Sequence, residues 1–238
     1  MSCKNDDDQT TDLLNLADHI QEYETHLSDE VIACSAGRPD GLDGQPEFPT
    51  STFFLPKSGA TDFKYFETEN LGDSLDFSKY IEKDLSFSPV FNGYLQKFNN
   101  NTFTGERMAV VTYQRDGALH SSTPIRLKVN PKPTELNPSL LTITPDGINP
   151  GFSWEDGTIA ENVIYFQVIS DADGNLISGT YTIEKQFTFY NLDNVVLNIA
   201  DQNPAPVLEA NTSYQFTMMA VSEDNWVNLL LEQAFMTE

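Results

Sequence analysis

The 238 residues carry 36 acidic side chains against 13 Lys and Arg, a net charge of −23, and the 39% apolar fraction includes 16 Phe and 9 Tyr. A surface this acidic repels phosphate backbones and anionic headgroups, which excludes nucleic acid as a partner. No run of about 18 apolar residues could span a bilayer as a helix, and two cysteines, Cys3 and Cys34, leave no disulfide framework.

The chain begins Met-Ser-Cys-Lys-Asn-Asp-Asp-Asp. Cys3, followed by Lys4 and by Asp6, Asp7 and Asp8, resembles the start of Bacteroidetes-type outer-membrane lipoproteins, in which a lysine and acidic residues follow the lipidated cysteine as a surface-export signal. The resemblance implies lipidation at Cys3, contact with the membrane through that anchor only, and display on the extracellular face of the outer membrane. Read from the residues alone, the same run is a solvated acidic leader with a free cysteine.

Leu13, Leu16, Ile20, Tyr23 and Leu27 then recur at three- and four-residue steps, with Asp12 or Thr11 placed to cap the N-terminus, and predict a short amphipathic helix. Its apolar stripe has two destinations, the first domain or a partner near the membrane. Residues 1–27 therefore read as a lipid-anchor tether with a short helix. Cys34, within Val31-Ile32-Ala33-Cys34 and without a histidine or second thiol nearby, reads as a small buried hydrophobe.

Residues 28–130 read as an immunoglobulin-like β-sandwich. Thr50–Phe54 and Asp62–Glu67 are candidate strands, and Asn92-Gly93 and Asn99-Asn100-Asn101 carry turn or loop chemistry. Asp116-Gly117 is a hairpin signal joining Met108–Tyr113 to Ile125–Val129, where Ile125, Leu127 and Val129 alternate with Arg126 and Lys128. Phe53 and Phe54 are candidate contacts for a ligand or partner. Asp73-Ser74-Leu75 matches the O-glycosylation pattern of the same bacterial group, which makes Ser74 a candidate acceptor. His19, His26 and His120 have no zinc-like spacing, and His120 reads as an exposed or hydrogen-bonded hairpin residue.

Pro131-Lys132-Pro133 breaks any strand ladder, and we place the domain boundary there, residues 131–133 being the linker. A connection this short predicts two domains set end to end with limited swing. Charge divides along it. Residues 31–130 hold twelve acids against ten bases, whereas residues 131–238 hold fifteen acids against Lys132 and Lys185 alone. The balanced first domain suits close packing on another surface; the second projects outward.

Residues 134–238 resemble a fibronectin type III module. Phe152-Ser153-Trp154 matches its second strand and core tryptophan, Val163–Ile169 its third strand, and Leu208, Thr212 and Tyr214 its tyrosine corner. Ala210 stands where the family has proline, and residues 171–200 are longer than such a module needs. The fold class expected is all-β: two tandem immunoglobulin/fibronectin type III-like sandwiches preceded by an acidic tether and a short helix.

Chemistry is sparse. Asp171, Asp173 and Asn175 resemble the start of a calcium loop, but the twelfth position from Asp171 is Thr182 rather than glutamate, so a hairpin turn competes with a weak surface site. Trp226, among Ser222-Glu223-Asp224-Asn225, either contacts a ligand or partner from a loop or folds back over the sandwich end. No phosphate loop and no Gly-x-Ser-x-Gly nucleophile signature occurs, and no catalytic residue, cofactor or resident metal is assigned. The leading expectation is a non-catalytic accessory or docking subunit of an outer-membrane protein complex for transport, secretion or assembly, with a β-barrel protein as partner. The alternative is a glycan-binding lipoprotein of a polysaccharide uptake system, with carbohydrate as ligand.

Overall fold

Asp116 and Gly117 both adopt positive φ, 52° and 80°, the two-residue turn whose twist suits a tight hairpin. This computed structural model describes residues 14–102, 105–200 and 202–238. The turn joins β8 (Arg107–Arg115) to β9 (Ala118–Ser121), and β10 (Ile125–Leu127) follows along the same edge of β8. The predicted hairpin partner 125–129 is thus the continuation of a nearer strand, interrupted at Pro124, which lacks an amide hydrogen for the ladder.

β8 is the centre of one sheet, in the order β1 (His26–Leu27), β9, β8, β4 (Thr61–Glu67), β5 (Ile81–Glu82). A second sheet runs β2 (Ala33–Gly37), β3 (Thr50–Phe54), β7 (Leu95–Asn100), β6 (Phe87–Val90). Two sheets facing each other across one apolar layer form an immunoglobulin-like β-sandwich. Phe54, Tyr65, Phe98, Val111, Tyr113 and Ile125 fill the space between them.

β8 is buried on both faces from Arg107 to Tyr113, which explains its unbroken apolar run. Its outer face is covered by the helix α1 (Leu16–Gln21), where Leu16 and His19 pack with Phe66, Tyr80, Met108 and Val110. The helix is shorter than the periodicity implied. Asn15 caps it, its side chain accepting the Asp18 amide at 2.9 Å, while Leu27 belongs to β1, paired in parallel with β9. Thr11, Asp12 and Leu13 lie outside the described residues. The apolar stripe is therefore spent within the chain.

Asn99 and Asn100 are strand residues, not a loop. The reason is polar. Glu67, buried, accepts Arg107 Nε at 2.7 Å and the Tyr65 hydroxyl at 2.8 Å, and the Asn100 side-chain amide completes the set. A buried carboxylate demands such partners. His120 is also buried, its ring stacked on Tyr113 with centroids 5.0 Å apart, rather than exposed on the hairpin.

In the second sandwich β12 (Leu141–Thr144), β13 (Gly151–Trp154) and β16 (Gln186–Thr188) form one sheet. The facing sheet runs β11 (Glu135–Leu136), β19 (Val227–Met236), β18 (Ser213–Ser222), β14 (Asn162–Ser170), β15 (Leu176–Thr182), β17 (Val195–Asn198). Phe152 stacks on Phe216 at 4.1 Å, and Trp154 packs against Tyr165. The Tyr214 hydroxyl accepts the Glu209 amide at 2.9 Å, the tyrosine corner in full despite Ala210. The surplus length of 171–200 is β17, which returns to the edge of β15. The chain is all-β, two sandwiches with a short helix, as its sequence led us to expect.

Candidate functional site

Three mainly apolar stretches, Tyr165–Ile169, Phe216–Val221 and Val227–Leu231, are buried at every position and so on both faces of their sheet. A lone sandwich would leave one face wet. What covers it is the first domain: Ala36, Phe53 and Leu95 share one apolar cluster with Phe166, Val168, Met219 and Leu230. The two sandwiches thus meet broadside over this cluster, not end to end.

The turn from β18 to β19 reaches further. Asn225 takes φ of 60°, its carbonyl accepts the Ser35 amide at 3.0 Å, and Trp226 forms a backbone bridge with Ser35. The Trp226 ring is fully buried, in the same cluster as Phe54, Tyr65 and Ile125 of the first sandwich. Its Nε1 donates to the Lys132 carbonyl at 2.8 Å. Trp226 is therefore not a loop aromatic for a ligand; it is a core residue of the neighbouring domain, where its large apolar area finds cover and its N–H finds a partner.

Polar contacts fasten the same joint. Lys128 Nζ, buried, donates to Asp224 Oδ1 at 2.9 Å, and the Ser222 hydroxyl donates to the same oxygen at 2.6 Å. Burial works to raise the Asp224 carboxyl, but these two donors outweigh it and hold it below its ordinary value. Thr134 is bound on both sides, its amide to the Gly37 carbonyl at 2.8 Å and its hydroxyl to the Val227 carbonyl at 2.8 Å.

Beside this joint the sandwiches leave an apolar groove of about 290 Å³. Ile32, Cys34 and Leu55 line it from the first domain, and Ile164, Tyr181 and Leu197 from the second. Among the described lining residues Asp29 alone is charged. Cys34 keeps some accessible surface, yet the packing around its sulfur pushes the thiol up to about 12, so it stays protonated and inert. Phe53 and Phe54 border the groove but are buried, Phe53 against the second domain and Phe54 stacked on Phe98 at 5.3 Å.

The remaining sequence candidates are scattered. Ser74 sits on the loop between two short 3-10 turns, beside Leu75, and its carbonyl accepts the Tyr80 hydroxyl at 2.8 Å. Asp171 spends its carboxylate on the hairpin turn, accepting the Asp173 and Asn175 amides at 3.0 and 2.8 Å and the Asn175 side chain at 2.8 Å. Asp171, Asp173 and Asn175 accordingly serve as turn residues. Among the described residues no three His, Cys, Asp or Glu side chains converge to hold a metal. Cys3, Lys4, Asp6, Asp7 and Asp8 lie outside the described residues. The groove itself escaped sequence reading because its walls come from distant segments; the doubly buried runs in the second domain were its signal.

No protein-family model matches the chain, and no curated protein matches it. Among solved structures it is similar to the FN1–FN3 domains of chicken CNTN1, at 11% identity and a TM-score of 0.30, over 90% of this chain and 69% of that one. A likeness at that level carries no argument; the sandwiches are recognised by their own strand order and tyrosine corner.

Proposed function

We propose that the chain is a non-catalytic docking subunit, held through Cys3 on the outer face of the outer membrane and serving an outer-membrane protein complex in transport, secretion or assembly. The observation that carries this reading is the joint: a shared apolar cluster and a partly buried ion pair fasten the two sandwiches broadside, and the recess between them offers apolar surface with one carboxylate. Such a surface suits recognition rather than acid–base chemistry. The polysaccharide alternative has less support, because it draws on an aromatic platform and both Trp154 and Trp226 are buried.

Purification in mild detergent with a tag after Glu238 tests the proposal. Co-purification of a β-barrel protein is the expected result, and Cys3→Ala should move the chain to the soluble fraction. Replacing Lys4 and Asp6 to Asp8 by alanine should leave it attached but shielded from external protease. A clean monomer that is retarded on polysaccharide affinity gels would overturn the docking role.

A further inference from the structure

We infer that the groove between the sandwiches seats an extended, basic segment of the partner protein, one large apolar side chain filling the recess and a neighbouring lysine or arginine meeting Asp29. This rests on the docking reading and adds the place and the chemistry of the contact. Shape and lining come first. The recess, about 290 Å³, lies at the small end of ligand-sized cavities, the scale of an anchoring side chain and its neighbours. Its lip is apolar and open to water: Ile32 is 40% exposed and Leu197 41%. Anchors of this kind supply most of the affinity at protein interfaces.

Charge selects the occupant. Asp29 lines the groove and is exposed. Lys132 of the linker is paired with Glu161, Lys185 of the second sandwich with Asp156, and Lys57 on the first domain with Glu30. The charged lining residue is thus a carboxylate on a chain of net charge −23, which draws in a basic segment more readily than an acidic one. A second copy of this chain is disfavoured on the same ground, each copy carrying −23.

The backbone on offer selects an extended form. Leu197 comes from β17, the edge of its sheet, whose outer side pairs with no strand among the described residues. Val196 on that strand is 56% exposed. An open edge beside a side-chain recess is the arrangement that strand addition uses: main-chain bonds along the edge, alternate side chains into the pocket.

The test uses the full chain and an acetylated, amidated hexapeptide alternating lysine with leucine, measured by calorimetry at low salt. Binding is expected, at least tenfold weaker for the lysine–alanine peptide and for the glutamate–leucine peptide. Leu197→Glu and, separately, Ile32→Asp should each cost tenfold or more, and Asp29→Asn about threefold. Val207→Glu, at a 71% exposed site outside the groove, should change nothing. Equal binding of the lysine–alanine peptide would mean diffuse attraction to an acidic surface and overturn the proposal. So would absence of binding, indifference to both groove variants, or displacement of the peptide by dodecylphosphocholine below its micellar concentration, which would assign the recess to lipid chains. A Leu197→Glu chain that still co-purifies its β-barrel partner also removes the groove while leaving the docking role in place.

Discussion

Trp154 and Trp226 are the chain's two tryptophans, 3% and 0% exposed, and they complete different cores. Trp154 lies inside the sandwich that its own strand helps to build, against Tyr165 and Phe216. Trp226 leaves its sandwich through the turn after β18 and fills a space beside Val31, Phe54 and Ile125 in the other. The first is a module residue, which a tandem of independent domains would also have. The second makes the modules depend on each other, so that the domain boundary drawn at the prolines divides the sheets without dividing the cores.

The sharpest way to break this comparison is to truncate both rings. Each change, Trp154→Ala and Trp226→Ala, should cost about 3–5 kcal/mol in denaturant unfolding, but in different places. Hydrogen exchange on Trp154→Ala should quicken in β14 and β18 while β8 stays protected. On Trp226→Ala it should quicken in β8, although the substitution lies in the second sandwich. Unchanged protection of residues 107–115 in that variant would show the two cores to be independent.

A smaller effect sharpens the polar side of the joint. Lys128→Met removes the ammonium from Asp224 and should cost about 1–3 kcal/mol; adding Asp224→Asn should recover part of it, since the lone carboxylate is then gone. Additive losses in the double variant would deny the coupling.

The smallest expected effect is on pH. Because Asp224 is held below the ordinary carboxylate value of 3.8, the unfolded chain binds its proton first as acid is added. The stability this pair contributes is fully present above 3.8 and is lost only as pH falls through the lower value of the folded state. Lys128 and Arg126 act to lower that value, and Ser222 adds its hydrogen bond. Acid unfolding monitored by Trp226 fluorescence should therefore shift to higher pH in Lys128→Met. An unshifted midpoint would place the control elsewhere.

Much of the architecture is legible in local chemistry. Asp116-Gly117 announces its hairpin because only a few residues tolerate positive φ, and Leu208, Thr212 and Tyr214 mark a corner whose hydrogen bond spans five residues. What local pattern cannot show is which surface a neighbour covers. Trp226 sits among Ser, Glu, Asp and Asn and looks like a loop residue until Ser35 and Lys132 are brought to it by the fold. Asn100 has turn chemistry, yet the buried Glu67, thirty-three positions away, draws it into a strand. The helix ends early for a similar reason: β9 offers Leu27 a strand to pair with, and that pairing outweighs a three- and four-residue periodicity. The groove combines all of these, since neither of its walls carries a motif.

The location of Trp226 also sets an order of events as the chain is made. Domains on a growing chain generally fold as units, the N-terminal one first. Here the strands described in the first sandwich, β1 to β10, are complete once Leu127 has emerged, but its core stays incomplete until the turn between β18 and β19 follows. Under the surface display proposed above, which needs export before folding, that delay would be an advantage.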